Sequence, residues 1–472
     1  MTTTLITGGT VVTAEGHTLA DVRIDGERVT AVTAPGAAGP AARAVDATGH
    51  YLLPGGVDTH THLEYPIDGF TTRTSDDFHT GTVAAAFGGT TTIVDFTKKE
   101  PDHSLYDSFQ RRIEAGSRRC VVDFGLHAIA PPLEQQADAL ADLRRLAREG
   151  VSSWKFFMAY PGTQMVDDAT LIHGMRLAAD EGVLPMVHAE NGHLVADAAR
   201  RLVDAGHTSE RHHHAAHSHI SEGEAVHRAV AIAESVGSPL FTVHVSSRWA
   251  AEEIAAARAR GLDVWGETCP QYLLAAYEDY DHDGPEAAAY LCSPPIRERA
   301  NQEHLWRALA TGALSTIGTD HAPFYLGQPD DLPPQKSRST GYFPKVPNGV
   351  PGVEERLMVI HQAGVVEGRI DLRRFVDLTA TRPAKLFGLY PRKGTIQAGA
   401  DADIVVWDPA AEHTITAAGA HSRTDYTLYE GMRVTGRPRK VFSRGELIVD
   451  GDELHATPGR GRYLTRAAPD LA

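Results

Sequence analysis

The sequence predicts an α/β chain in which eight parallel strands close into a barrel, with a small β-sandwich domain assembled from both chain ends. Three observations predict it. The middle of the chain alternates short apolar runs with helical patterns, eight such runs can be counted, and both ends carry short strands and tight turns instead. Alternating strand and helix marks a parallel sheet, and eight units favour the closed (β/α)8 TIM barrel over an open sheet.

The chain has 472 residues, enough for one large domain and a smaller one. Near the start, Val22 to Ile24 and Val29 to Val32 flank Asp25-Gly26-Glu27, and Asp-Gly is a hairpin signal. Near the far end come Ile404-Val405-Val406-Trp407, Val441-Phe442 and Leu447-Ile448-Val449 around Arg444-Gly445. Isolated hairpins are marginal in water, so the two ends are expected to share one domain, 1–53 with 392–472, around a barrel at 54–391. The first barrel strand is read as 51–53 running into Gly55-Gly56-Val57-Asp58. The others are read at 91–96, 121–129, 153–158, 184–188, 240–245, 263–268 and 315–319. Between them, 133–148 puts Leu133, Ala137, Leu140, Leu143 and Leu146 on one helical face before Gly150. A second helix, 221–236, starts with a capping box of Ser221 and Glu224 and stops at Gly237.

Composition excludes some functions. A net charge of −16 argues against nucleic acid as a partner, because phosphate binding needs a basic face. Three cysteines (Cys120, Cys269, Cys292) are an odd number in a long chain and suggest a reducing compartment rather than a disulfide framework. The N-terminus lacks a basic stretch followed by an apolar run, and no 18 apolar residues run uninterrupted, so neither a secretory signal nor a membrane partner is expected. The cytoplasm is the expected compartment.

The chemistry gathers where barrel strands end, which is where such barrels place their active sites. The first strand ends in Asp58-Thr59-His60-Thr61-His62, and residues two apart in an extended segment share a side. Alone, that spacing is a weak metal signal. Its company strengthens it: Lys155 in strand four, His188-Ala189-Glu190 after strand five, His244 after strand six, and Asp320-His321 after strand eight. Four imidazoles, a carboxylate and a lysine at one rim are hard to explain as structure alone. An ammonium ion has no lone pair for a metal. Between aromatic residues, however, the charged form of Lys155 is disfavoured, and a neutral amine can take up CO2 as a carbamate whose two oxygens bridge two ions. The plain alternative is a lysine paired with an acid at the barrel centre.

The residues then resemble the dihydropyrimidinase and D-hydantoinase family of cyclic amidohydrolases. The matching pieces are Gly55 to Glu64, Lys155 to Tyr160, His188 to Asn191, Val243 to Ser246, Glu267 to Tyr272, Cys292 to Arg297, Asp320-His321 and Val346 to Glu354, in order along nearly the whole chain. The resemblance implies that His60, His62 and Asp320 hold one divalent ion and that His188 and His244 hold the other. Lys155, as N6-carboxylysine, would bridge them. Zinc is the usual expectation, and such N/O ligands also accept manganese or cobalt. A hydroxide between the ions would attack a ring carbonyl, with Asp320 moving the proton to the leaving nitrogen. Tyr160 would stabilise the oxyanion and bind substrate with Ser293 and Asn348. A homotetramer joined through 425–434 onward is also implied.

This sequence departs from the family in places. Ser247 follows Ser246 where cysteine is common, residues 65–73 match neither common subgroup, and 211–219 is histidine-rich. That tract resembles a metal-binding segment, but it reads better as a solvated loop before the helix at Ser221. The substrate is expected to be neutral, because Glu64 follows the His60-Thr61-His62 motif where dihydroorotase relatives place an arginine for a substrate carboxylate. Phe157 and Tyr65 are expected to wall an exocyclic substituent, which favours bulky 5-substituted rings; the reading leans to a hydantoin over a dihydropyrimidine, two activities that overlap. Two alternatives carry different consequences: an allantoinase-like hydrolase, and an inactive scaffold of the same fold that would lack several of these ligands.

Overall fold

The computed structural model describes residues 3–472. Eight strands pair in chain order: Gly56–Thr61, Thr90–Thr97, Asp123–Ile129, Ser153–Phe157, Leu184–His188, Leu240–Thr242, Val264–Thr268 and Thr316–Ile317. Their pairings are parallel. The ring closes where Thr61 bridges His321 and the His62 amide donates to the His321 carbonyl at 2.8 Å. These strands are buried throughout, as strands covered on both faces must be, and are rich in β-branched and aromatic residues. Inside the ring, Phe96, Ile129, Phe157, Leu184, Met186, Phe241 and Val243 form one apolar plug below the mouth. Helices cover the outside. Asp168–Glu181 is representative: the Asp167 side chain accepts from the Thr170 amide, and Gly182 ends the helix at φ 67°, which glycine adopts without strain.

The terminal strands form a nine-stranded, mostly antiparallel sheet over its own core of Ile6, Val22, Ile24, Val29, Leu52, Ile404, Val406 and Phe442. It curls on itself where Arg28 bridges Asp401 and the Ala402 amide donates to the Glu27 carbonyl. Three expectations need correction. Tyr51–Pro54 does not open the barrel; it pairs with Thr3–Val12 and Ile404–Thr414 in the outer sheet, and the barrel begins at Gly56. The helix expected from 133 begins at Ala139; residues 133–135 form a turn after Pro131-Pro132, in which the Gln135 and Gln136 amides donate to the Pro132 carbonyl. The other helix is His219–Val236, capped by Ser218 accepting from the Ser221 amide, while Glu224 bonds Asn191 and Arg228 instead of closing a capping box.

The chain's tail also leaves the outer sheet. Tyr463 bridges Phe124, the Leu464 amide donates to the Phe124 carbonyl, and Arg466 reaches inward to Ser153 Oγ and the Leu126 carbonyl. Residues 461–467 therefore pack on the end of the barrel opposite the mouth, not within the sheet to which 392–472 was assigned. No helix among the described residues is long and apolar enough to cross a membrane, and Cys120, Cys269 and Cys292 are all free and buried.

Candidate metal centre and active site

His60, His62, Lys155, His188, His244 and Asp320 line one pocket at the C-terminal mouth of the barrel, together with Tyr160, Ser293 and Asn348. All nine residues singled out from the sequence meet there. His60 belongs to the first strand and His62 follows it on the same side; Asp320 follows the last strand, which closes the ring beside the first. Asp320 Oδ1 lies 3.1 Å from His60 Nε2 and 3.1 Å from His62 Nε2. The donor atoms of these three residues all fall within 4.8 Å of one another, the spacing of a possible metal site. The His188 and His244 rings stand 4.6 Å apart between centroids, and His244 is 5.3 Å from His60. Tyr160, His244 and Asp320 have positive φ of 65°, 39° and 52°. Residues other than glycine rarely adopt this backbone, which costs on the order of 1–3 kcal/mol each, and it turns three strand-end side chains into one space.

Two buried acids orient the imidazoles. His60 Nδ1 lies 2.6 Å from Glu267 Oε1, and His188 Nε2 lies 2.8 Å from Glu190 Oε2. A carboxylate has no proton to give, so each ring donates to its acid and turns its other nitrogen elsewhere. Burial works to lower the pKa of His60, but Asp320 and Glu267 outweigh it and raise it to about 9. Burial lowers His188, and lowers His244 well below the usual imidazole range. It would raise Asp320, yet the rings of His60 and His62 hold that carboxyl well below its ordinary value. The buried His60 Nε2, His62 Nδ1 and His244 Nδ1 have no hydrogen-bond partner. Unpartnered imidazole nitrogens around a carboxylate form the donor set of a divalent transition-metal ion, and the residues fit one.

Lys155 is 1% exposed, and its Nζ sits 5.1 Å from the ring centroids of both Phe96 and Phe157. Among the described residues no carboxylate comes within ion-pair distance of it. Burial lowers its pKa to about 7, with only partial compensation from Asp320 and Glu267 at longer range. The acid-paired lysine considered from the sequence is therefore not what the fold builds.

Around the rest of the pocket, Asn348 Nδ2 donates to Ser293 Oγ at 3.0 Å. Burial, with the charge of Glu190 adding to it, raises the Tyr160 phenol above its ordinary value, so it stays protonated and able to donate. Tyr65 packs against His62 at 4.8 Å, and Phe157 stacks on His188 at 5.3 Å; both line the pocket with Ile67 and Phe70. Glu64 corrects another expectation. It forms an ion pair with Arg119 at 2.6 Å and does not line the pocket, so it repels nothing there.

Sequence reading missed the supports. Glu190 and Glu267 appeared only inside longer motifs, although a glutamate at the polar end of the apolar strand Val264–Thr268 was a usable signal. The histidine-rich tract is not a solvated loop: it folds as Glu210–His212 and His213–Ala216, with His213 and His217 buried behind the site. Cα periodicity carries no trace of this, since the burial comes from packing against Glu190 and Cys292.

This fold and site define a member of the amidohydrolase family, whose description matches residues 51–448. Members of that family generally carry a binuclear metal centre. Within it, the chain belongs with the hydantoinases and dihydropyrimidinases. It is 44% identical to a D-hydantoinase of Streptomyces coelicolor over 98% of both chains. It is 37% identical to a dihydropyrimidinase of Arabidopsis thaliana, over 98% of this chain and 85% of that one. A crystal structure of dihydropyrimidinase from Brevibacillus agri matches with a TM-score of 0.94 at 42% identity, covering 99% of each chain.

Proposed function

We propose that this chain hydrolyses cyclic amides, opening a 5-substituted hydantoin or a 5,6-dihydropyrimidine to an N-carbamoyl amino acid at a pair of divalent ions. The observation that carries this reading is the convergence of four imidazoles and Asp320 on one pocket beside a buried lysine without an acid partner. His60, His62 and Asp320 would hold one ion, and His188 and His244 the other. Lys155 would join both after its neutral amine adds CO2 and releases a proton, leaving an anionic carbamate. Zinc suits these ligands, as do manganese and cobalt.

When bound, the ions supply Lewis acidity, polarising the ring carbonyl and bringing the pKa of water to about 7. Asp320, held as a carboxylate, receives the proton of the attacking water and delivers it to the ring nitrogen as the C–N bond breaks. Tyr160 donates its O–H to the carbonyl oxygen as charge develops there. Ser293 and Asn348 hold the amide edge of the ring, their own hydrogen bond fixing the pair. Tyr65 and Phe157 wall the substituent, which favours bulky 5-substituted rings. A homotetramer joined through 425–434 onward is part of the proposal and is read by light scattering.

Metal analysis and a substrate panel test it. Metal-replete protein is expected to hold about two ions per chain and to turn over 5-benzylhydantoin faster than dihydrouracil, with allantoin slowest. Faster turnover of dihydrouracil defeats the substituent preference, and a protein that holds no metal after gentle purification is a scaffold instead.

A further inference from the structure

Neither the metal ligands nor the substrate pocket uses the histidines of 211–219, yet two of them are built into the wall behind the site. His217 is 7% exposed, and its Nδ1 lies 2.8 Å from Glu190 Oε1. The other oxygen of that carboxylate receives the His188 Nε2–H, also at 2.8 Å. His213 packs tilted against His217 with centroids 4.3 Å apart and donates its Nε2–H to the Cys292 carbonyl at 2.8 Å, which pins the pair to the loop bearing Ser293. Glu190 is fully buried. Its carboxylate is therefore clamped between two imidazole donors. If the outer donor is removed, the carboxylate can rotate, and the direction and tautomer of the His188 ring are no longer imposed.

We propose that His217 is a positioning residue for the ion on the His188 and His244 side, acting through Glu190. This rests on the metal reading above. Partners of this kind behind a metal-bound histidine are typically worth roughly 10- to 100-fold in metal affinity.

The test is chelator competition for Zn2+ on the metal-free full-length chain, which resolves two binding constants. His217→Leu is expected to weaken one constant by about 10- to 100-fold and leave the other unchanged. His217→Asn, whose amide N–H falls near the position of Nδ1–H, is expected to recover most of the loss. Glu190→Gln keeps the shape of the acid and should produce the same one-sided weakening, so a leucine variant that fails to fold does not remove the test. Unchanged affinity in His217→Leu and Glu190→Gln overturns the inference. Equal weakening of both ions, or no recovery with asparagine, also overturns it, because packing alone then explains the residue. A wild-type chain that takes up no Zn2+ defeats the metal reading instead.

Discussion

Lys155 at the mouth of the barrel and Lys393 at its opposite end are both 1% exposed, but they have opposite surroundings. Lys393 Nζ lies 2.7 Å from Asp123, 2.7 Å from Asp403 and 3.0 Å from Asp401, and Arg444 approaches Asp123 at 3.0 Å. Burial alone would lower its pKa, but Asp403, Asp123 and Asp401 reverse that and raise it. Lys155 meets two phenyl rings and no acid, and burial takes it down to about 7. Burying a charge is costly in either place. Lys393 keeps its charge and stitches the third barrel strand to the outer sheet, whereas burial without an acid partner disfavours the charged form of Lys155, which is what the proposed carbamate requires. The same residue type holds its charge where acids surround it and loses the preference for it where they are withheld.

The largest expected effect tests the reactive half of that contrast. Lys155→Ala should lose metal and activity together while remaining folded, with partial recovery when a short carboxylic acid is supplied in place of the carbamate. Full activity in that variant would refute the bridging role. Lys393→Met tests the structural half. It removes the cation shared by three buried carboxylates, leaving Asp403 without one, and should cost about 3–5 kcal/mol, read as a lowered unfolding midpoint with activity per folded molecule retained. An activity loss without a stability loss would erase the distinction. Tyr160→Phe should reduce kcat by roughly 100-fold, about 3 kcal/mol, with zinc content and unfolding midpoint near wild type. A change confined to KM would remove it from the oxyanion role.

The smallest effect is a pH dependence. The folded pKa of Lys393 is raised above its ordinary 10.5, so its contribution is complete below that pH and is lost as pH climbs past it. The pKa of Asp123 is lowered from 3.8, so its share is complete above 3.8 and is lost on acidification. The stability difference between wild type and Lys393→Met should thus stay level through neutral pH. Decline already near pH 7 would mean that Lys393 resembles Lys155 after all.

Much of the barrel and of its rim was legible because both depend on short-range pattern. Strand length, apolar alternation and the placement of His60, His62, Lys155, His188, His244 and Asp320 at strand ends can be read along the chain. The lysine argument named the wrong aromatic neighbours. Trp154 and Phe156 flank Lys155 in sequence but point to the opposite face of the strand and pack among the helices; the rings over Nζ are Phe157, two residues on, and Phe96 from another strand. Tyr51–Pro54 was misassigned because a short apolar strand looks the same whether it joins a barrel or an outer sheet. Glu64 was misjudged because nothing local reveals Arg119 as its partner.

The sequence by itself determined the order of strands and helices, the kinds of donor atom at the mouth and the family to which they belong, since each depends on residues near one another in the chain. Only the tertiary structure decided which nitrogen of His60 and of His188 is turned toward a buried acid. The acid that turns His60 is 207 positions away, and the clamp on Glu190 comes from a tract 27 positions beyond it. Hydrogen bonds between such distant residues follow from packing, which no periodicity encodes, and they convert a ring of histidines into a site with lone pairs aimed at one space.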